Sequence, residues 1–321
     1  MEHVVEPNAK VSPLRKHSEW VGFVIMLVIL LVAPFVAYPM FLMQCLCFAL
    51  FACAFNLLVG YVGLLSFGHA LYFGWASYLS AYSAKFWGFP PELAIVTGTA
   101  TAAALGFVAG ALAIRRQGIY FAMITLALAQ MMFFFAVQAN FTGGEDGIQS
   151  VPRGPLFGFI NLHGEMPMYL FVLAIFLFGW LCIYRIIHSP FGEVLKAIRE
   201  NEPRAISLGY KTERYKLLAF VLSATLAGLA GSTKALVVQI ASLTDVNWPM
   251  SGEVVLMSLV GGLGTIFGPV VGALTIVTMQ YQLAFLGEWV LVIQGVIFVA
   301  CVLLFRRGII GEIANRLRIK L

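Results

Sequence analysis

Residue types able to do covalent chemistry are few and dispersed in this 321-residue chain. Five histidines (His3, His17, His69, His163, His188) and five cysteines (Cys45, Cys47, Cys53, Cys182, Cys301) show no metal-ligand, disulfide or nucleophile–base spacing. The cysteines all lie in apolar stretches and read as small core residues. No G-x-x-x-x-G-K-S/T run and no strand-flanked glycine motif occurs, so no nucleotide or other cofactor is expected on this chain. Charge is concentrated in one place. Between Glu193 and Lys216, 10 of 24 residues are charged, whereas residues 21–114 hold only Lys85 and Glu92. Residues 217–305 hold only Lys234, Asp245, Glu253 and Glu288. A segment such as 193–216 can pair with a partner and transmit force, but it offers no catalytic constellation.

The elements that position these groups follow from composition. Hydrophobic residues make up 61% of the chain and charged residues 11%, against about 25% charged in a soluble domain. Mean hydropathy is +0.92. The excess apolar surface must face lipid, and backbone groups in lipid must be satisfied within helices. At about 20 residues per span, apolar helices are predicted at 20–38, 41–59, 64–84, 92–113, 118–138, 167–187, 217–240, 251–263, 267–285 and 288–305. The fold class is an all-α, polytopic transmembrane bundle of about ten spans. Segment 251–263 is short and reads as broken or re-entrant, and Pro39 alone separates the first pair. Lys10, Arg15 and Lys16, then Arg115 and Arg116, Arg185, the 193–216 segment, and Arg306, Arg307, Arg316, Arg318 and Lys320 all fall on one side if the count is even. That places both termini in the cytoplasm. The organisation is then a cytoplasmic tail at 1–19, a membrane domain at 20–305 with a cytoplasmic loop at 188–216, and a cytoplasmic tail at 306–321. The first nineteen residues hold no apolar stretch and are not a signal peptide. Loop 140–167 falls on the opposite side. The net charge of +5 is too scattered to imply nucleic acid.

Within the charged loop, Ser189-Pro190 reads as an N-cap followed by proline at the first helical position. Val194, Leu195 and Ile198 share one face. Pro203 can start a second short helix holding Ala205, Ile206 and Leu208, and Gly209 is a natural terminator. This amphipathic helix–turn–helix, with its exposed apolar face, favours a docking surface for a cytoplasmic partner over a plain solvated connection.

Two glycine motifs echo one another. Gly60-x-x-Gly63 with Phe67-Gly68 is matched by Gly261-Gly262-x-Gly264 with Phe267-Gly268, and Arg115-Arg116-Gln117-Gly118-Ile119 by Arg306-Arg307-Gly308-Ile309. Glycine-interrupted helices in corresponding positions point to a translocation site, although glycine is also common in membrane helices. Asn56, Ser66, His69, Gln130, Gln280 and Gln282 are among the polar groups in predicted spans. His69 is an ionisable intramembrane residue and a functional candidate by default; a neutral imidazole bridging helices is preferred to a proton relay. Lys234, deep in the seventh span, either snorkels or meets a carboxylate. Glu253 lies at similar depth and Asp245 in the connecting loop is a second partner; a Lys234–Glu253 pair is the expected outer gate.

The run GEVLKAIRENEPRAISLGYKTERYKLLAFVLSATLAGLAG, with NLLVGYVGLLSFGHALYFGWASYL (56–79), FTGGEDGI (141–148), SGEVVLMSLVGGLGTIFGPVVGA (251–273) and FRRGIIGE (305–312), resembles the permease subunits of branched-chain amino acid ATP-binding cassette importers, more particularly the second of their two permease types. The blocks occur in order and cover most of the chain from about residue 50. The resemblance implies a partner permease, two cytoplasmic ATPase subunits and a periplasmic solute-binding protein, in the bacterial inner membrane. It makes 192–209 the coupling element. Gly192 opens it, Ala197 and Ala205 permit close approach, Arg199, Glu200, Glu202 and Arg204 can pair with partner charges, and Gly209 ends it. Asn56 with Gly60 and Gly63 would let a helix unwind near the pathway, beside Ser66, His69, Gly261, Gly262 and Gly264. Branched-chain amino acids are the leading substrate class, and urea, short amides and other amino acids share the scaffold. An ion-coupled carrier would need deep carboxylates that the chain nearly lacks, and a membrane enzyme would need clustered His, Asp or Cys.

Overall fold

The computed structural model describes residues 13–316 apart from 159, 288 and 305–307. Glu288, Arg306, Arg307, Arg318, Lys320 and most of the two tails lie outside the described residues. Apolar helices occupy all ten stretches that hydropathy marks: α1 (Pro13–Val32), α2 (Pro39–Tyr61), α3 (His69–Phe86), α4 (Pro91–Ala113), α5 (Ile119–Gln138), α6 (Glu165–Ile187), α9 (Thr212–Val238), α10 (Trp248–Gly261), α11 (Gly268–Leu283) and α12 (Trp289–Leu304). Between α6 and α9 run α7 (Pro190–Glu200) and α8 (Glu202–Ser207), and α13 (Gly308–Arg316) follows α12. The described chain is thus a helical membrane bundle. Helices α2, α4, α5, α6 and α9 are each long and apolar enough to cross a membrane.

Helix α2 is apolar on every side and therefore central. Phe51, Ala52, Ala54, Phe55, Leu57 and Leu58 are fully buried along it, with α6, α9, α10 and α11 packed around. Helices α4 and α9 meet through small residues spaced four apart. A Cβ on Gly98 would strike Ser232 and the Ala76 carbonyl, one on Gly106 would strike Ala224, and one on Gly228 would strike Ala102. Backbones approach this closely in lipid only where side chains are small, because the contact gains dispersion energy that lipid tails would otherwise supply.

Two departures from the sequence expectation matter for function. The helix expected from residue 64 begins only at His69, because α2 ends at Tyr61 and Gly63 adopts φ +80°. Segment 62–68 descends without helical structure into the bundle. Its backbone is satisfied locally: Phe67 N donates to Thr125 Oγ1 at 3.2 Å, Gly68 N to Ser66 Oγ at 3.2 Å, and Ala70 N to Ser251 Oγ at 2.9 Å. Such backbone is tolerated at membrane depth only when enclosed in protein or lining a cavity. The short 251–263 stretch is half of a hairpin: α10 has 14 residues and turns through Gly262 (φ +120°) and Gly264 (φ +76°) into α11.

The helix ends sort into two layers. One layer gathers the end of α2, Gln117, α7–α8, the start of α9, the α10–α11 turn and Gly308, linked by Arg199–Gly60, Gln117–Glu202 and Gly308–Gly262 contacts. The other gathers residues 85–92, loop 139–164 and the end of α9. There β1 (Ile148–Gln149) pairs antiparallel with β4 (Ile240–Ala241), while β2 (Pro155–Leu156) pairs with β3 (Ile160–Asn161). Arg153 holds this layer together by donating to the Leu236 and Val237 carbonyls at the negative end of the α9 dipole. Burial lowers its pKa, and Glu165 opposes that shift.

Candidate functional site

The charged segment folds as its caps dictate. Ser189 Oγ accepts from Gly192 N at 3.3 Å with Pro190 opening α7, and Asn201 Oδ1 accepts from Arg204 N at 3.0 Å with Pro203 in the first turn of α8. Leu195 and Ile198 bury the apolar face of α7, and Ala205 is buried beneath α8. Gly209 ends the pair at φ +90°. Gly192 is glycine because a Cβ there would enter the Ile187 carbonyl at the end of α6.

The polar groups of this segment divide between inside and outside. Glu202 turns inward: Lys216 Nζ lies 2.5 Å from its Oε1 and Gln117 Nε2 donates to its Oε2 at 2.9 Å. Arg199 reaches back across the α2 end, donating to the Gly60 carbonyl. Both residues thus make contacts within this chain, and Arg199 stays exposed to solvent as well. Ala197, Glu200 and Arg204 face solvent. Beside them Ile206 (55% exposed), Leu208 (70%) and Tyr210 form an apolar surface that nothing among the described residues covers.

Below α7 the two echoed glycine motifs come together. Asn56 Oδ1 accepts from Gly264 N and its Nδ2 donates to the Thr265 carbonyl, both at 2.9 Å. A Cβ on Gly60 would collide with that Asn56 amide and with Gly264 N. Gly261 faces the Gly268 carbonyl equally closely, and Gly308 packs on Gly262. Asn56 thus clamps the last turns of α2 to the α10–α11 turn. The unwinding occurs after Gly60, in segment 62–68, where Ser66 is fully buried. Gly63, Leu64, Leu65 and Phe67 form one wall of a cavity of about 430 Å³, closed on the other side by Gly118, Phe121 and Met123 of the α5 end.

His69 is fully buried at the start of α3, ringed by Phe55, Tyr72 and Phe220. Its Nε2 lies 2.9 Å from Ser223 Oγ, and that hydroxyl donates to the Ala54 carbonyl at 2.6 Å. Because the serine proton is committed, Nε2 is the donor, and the imidazole braces α3, α9 and α2. His69→Ala strands the brace and should lower stability by about 1–3 kcal/mol, read as a fall in the unfolding midpoint of the purified chain. The pH profile of uptake should not move. A displaced profile would mean that His69 carries protons.

At the opposite layer, the expected Lys234–Glu253 pair does not form. Lys234 Nζ meets Asp245 Oδ1 at 2.5 Å and Oδ2 at 2.7 Å, with the Asp245 side chain only 1% exposed. The turn 243–246 folds down onto α3 because Gly74 leaves room there: a Cβ would strike Val246. That brings Asp245 to the lysine, while Glu253 faces Gln280 on α11. Thr125, Ser223, Ser251, Thr265 and Gly74, which hold segment 62–70, His69, the α10–α11 turn and the 243–246 turn in place, escaped notice in the sequence. Among the described residues no group of three His, Cys, Asp or Glu side chains comes together.

A helical bundle with a re-entrant backbone segment, a glycine-hinged hairpin and a charged helix pair outside the apolar layer defines a membrane transport protein. The sequence matches the family described as "Branched-chain amino acid transport system / permease component" over residues 38–302, and the chain belongs to that family. It is 26% identical over 288 residues to the high-affinity branched-chain amino acid transport system permease protein LivM of Escherichia coli, a match covering 83% of this chain and 68% of that one. It is 30% identical over 193 residues to a probable branched-chain amino acid transport permease protein LivM of Methanocaldococcus jannaschii, covering 57% and 54%. Similarity extends to the ribose import permease protein RbsC of Bacillus subtilis, 31% identical over 202 residues, covering 56% and 58%. No solved structure matches.

Proposed function

We propose that this chain is the permease subunit of an ATP-binding cassette importer for branched-chain amino acids, working with a second permease, two cytoplasmic ATPase subunits and a periplasmic solute-binding protein in the bacterial inner membrane. In this reading ten helices cross or enter the bilayer, both termini are cytoplasmic, and the layer containing α7–α8 faces the ATPases. The observation that carries it is the α7–α8 pair, rooted on α6, α9 and the α2 end yet presenting Ile206, Leu208 and Tyr210 outward. ATPase closure would move the pair, and rigid-body movement of the attached helices would alternate access to the pathway. Substrate selection then falls to the solute-binding protein, and an apolar cavity such as that at 63–67 suits an aliphatic side chain. Branched-chain amino acids are favoured over sugars because the match to the Escherichia coli LivM permease covers 83% of the chain, whereas that to the Bacillus subtilis ribose permease covers 56%. Urea, short amides and other amino acids remain the alternatives within the amino-acid reading.

Leu208→Glu tests the assignment. Burying a leucine at an interface contributes about 1.5–3 kcal/mol, so ATPase subunits co-purified with the variant should fall by roughly tenfold or more, at unchanged membrane abundance. Full co-purification together with normal uptake of radiolabelled leucine would remove α8 from the docking surface.

A further inference from the structure

Three things meet at one guanidinium. The Arg199 stem crosses Gly63, where an added Cβ would sit 3.2 Å from Arg199 Cγ. Its Nη1 donates to the Gly60 carbonyl, one of the last carbonyls of α2 left without an intrahelical partner. The same Nη1 would lie 3.3 Å from a Cβ on Gly264, in the α10–α11 turn. A side chain at either turn would crowd the arginine, and the left-handed φ values at Gly63 and Gly264 call for glycine at the turns themselves. Asn56 locks the second turn to α2 through two hydrogen bonds, so α2, that turn and Arg199 form one clasp.

We infer that Arg199 is the positioning residue that ties α7 to both glycine turns, so that displacement of α7 is delivered to segment 62–68 and changes the width of the inner cavity. The inference rests on the coupling role proposed above for α7–α8 and adds the route by which motion leaves that pair. Arginine suits the task physically. The end of α2 is the negative pole of its dipole, which favours a cation, and the planar fork presents several donors in fixed directions where lysine offers a point charge on a mobile stem. The segment it moves is the non-helical one. Residues 63–68 lie between α2 and α3 outside any helix, held by a few hydrogen bonds rather than a continuous ladder, and they begin at Gly63, directly under the arginine stem. Leu64, Leu65 and Phe67 are then carried toward or away from Phe121 and Met123 across the cavity.

The test uses the assembled transporter in proteoliposomes, with Cys45, Cys47, Cys53, Cys182 and Cys301 changed to Ala and Leu65→Cys as the reporter. Leu65 is 39% exposed and lines the cavity, so a water-soluble maleimide reads the opening of this wall. With Arg199 present, the labelling rate should differ severalfold between the nucleotide-free and vanadate-trapped states. In Arg199→Met the difference should vanish, and in Arg199→Lys an intermediate difference should remain. Asn56→Leu, which frees the second turn, should also reduce it. A purely structural role would lower abundance in each variant and leave the nucleotide response of the surviving transporter intact. Persistence of the full response in Arg199→Met overturns the inference, as does a Leu65→Cys reporter indifferent to nucleotide in an actively transporting complex. Failure of the ATPase subunits to join the unmutated chain would instead overturn the coupling role itself.

Discussion

Lys234→Met is expected to cost about 3–5 kcal/mol of stability, the penalty for removing one member of a buried ion pair. The reason is Asp245, whose carboxylate is left 1% exposed without the ammonium that both its oxygens contact. Lys234 lies on the last turn of α9, one turn from its end at Val238, in a position where a bare charge is costly even on permissive insertion scales, at about 2.5–3.5 kcal/mol. The effect should appear as loss of membrane-inserted chain and a lowered unfolding midpoint in detergent. Lys234→Met with Asp245→Leu removes both charges and should recover most of the loss, since a well-packed apolar replacement of a buried pair is commonly neutral or better. Lys234→Met with Glu253→Gln should recover little, because Glu253 is not the partner. Strict additivity of the Lys234 and Asp245 single changes would mean that the pair is not energetically coupled. The pair ties the end of α9 to the turn that enters α10, so uptake should decline in step with abundance in the single variants.

This pair also marks where sequence reasoning stops. The need of Lys234 for a carboxylate follows from its depth alone, but the choice between Asp245 and Glu253 depends on a loop folding down onto α3, and that depends on the space left by Gly74. Nothing within the loop 239–247 announces the contact. The long apolar helices α2, α4, α5, α6 and α9, by contrast, were legible, because runs of apolar residues of bilayer length have few other structures available. The exception was instructive. Leu64, Leu65 and Phe67 are apolar whether helical or extended, and periodicity does not separate the two over so short a run. Gly63 and Gly68 were the signals, and the structure gives them their reasons: a left-handed turn under Arg199, and a close approach to the Thr125 carbonyl. Caps were equally legible, with Ser189, Pro190, Pro203 and Gly209 all in the roles their types predict. The direction of a charged side chain was not. Glu202 reads as a surface charge, but the chain's own Lys216 and Gln117 hold it, and Arg199, though exposed, also reaches back to an α2 carbonyl. The sequence echo between the glycine motifs was visible, while its spatial meaning, two turns stacked on one another, required the fold.

Gly228→Leu should abolish accumulation of the folded chain, an effect beyond the roughly 1–3 kcal/mol typical of inserting a methylene or two into a packed core. Along the α4–α9 contact the pairs run in antiparallel order: Gly98 with Ser232, Ala102 with Gly228, Gly106 with Ala224, and Gly110 with Phe220. The contact is tight enough that even the single Cβ of alanine at 228 would collide with Ala102, so Gly228→Ala should already lower the unfolding midpoint. The neighbouring contact on the other side of α9 is tighter still, since a Cβ on Gly231 would overlap the Phe73 carbonyl. That makes α9 a wedge fixed by backbone proximity to α3 and α4 at once. The register supplies a sharp check: Gly228→Ala combined with Ala102→Gly moves one methyl across the interface and should restore most of the lost stability. Gly228→Ala combined with Ala103→Gly, one residue out of register, should not. Gly252→Ala is the control, because nothing lies within 4 Å of a Cβ there, and replacing a helical glycine should gain up to about 1 kcal/mol. Equal rescue by Ala102→Gly and Ala103→Gly would refute the pairing of α4 with α9 on which the placement of α9 between the coupling pair and the Lys234–Asp245 contact depends.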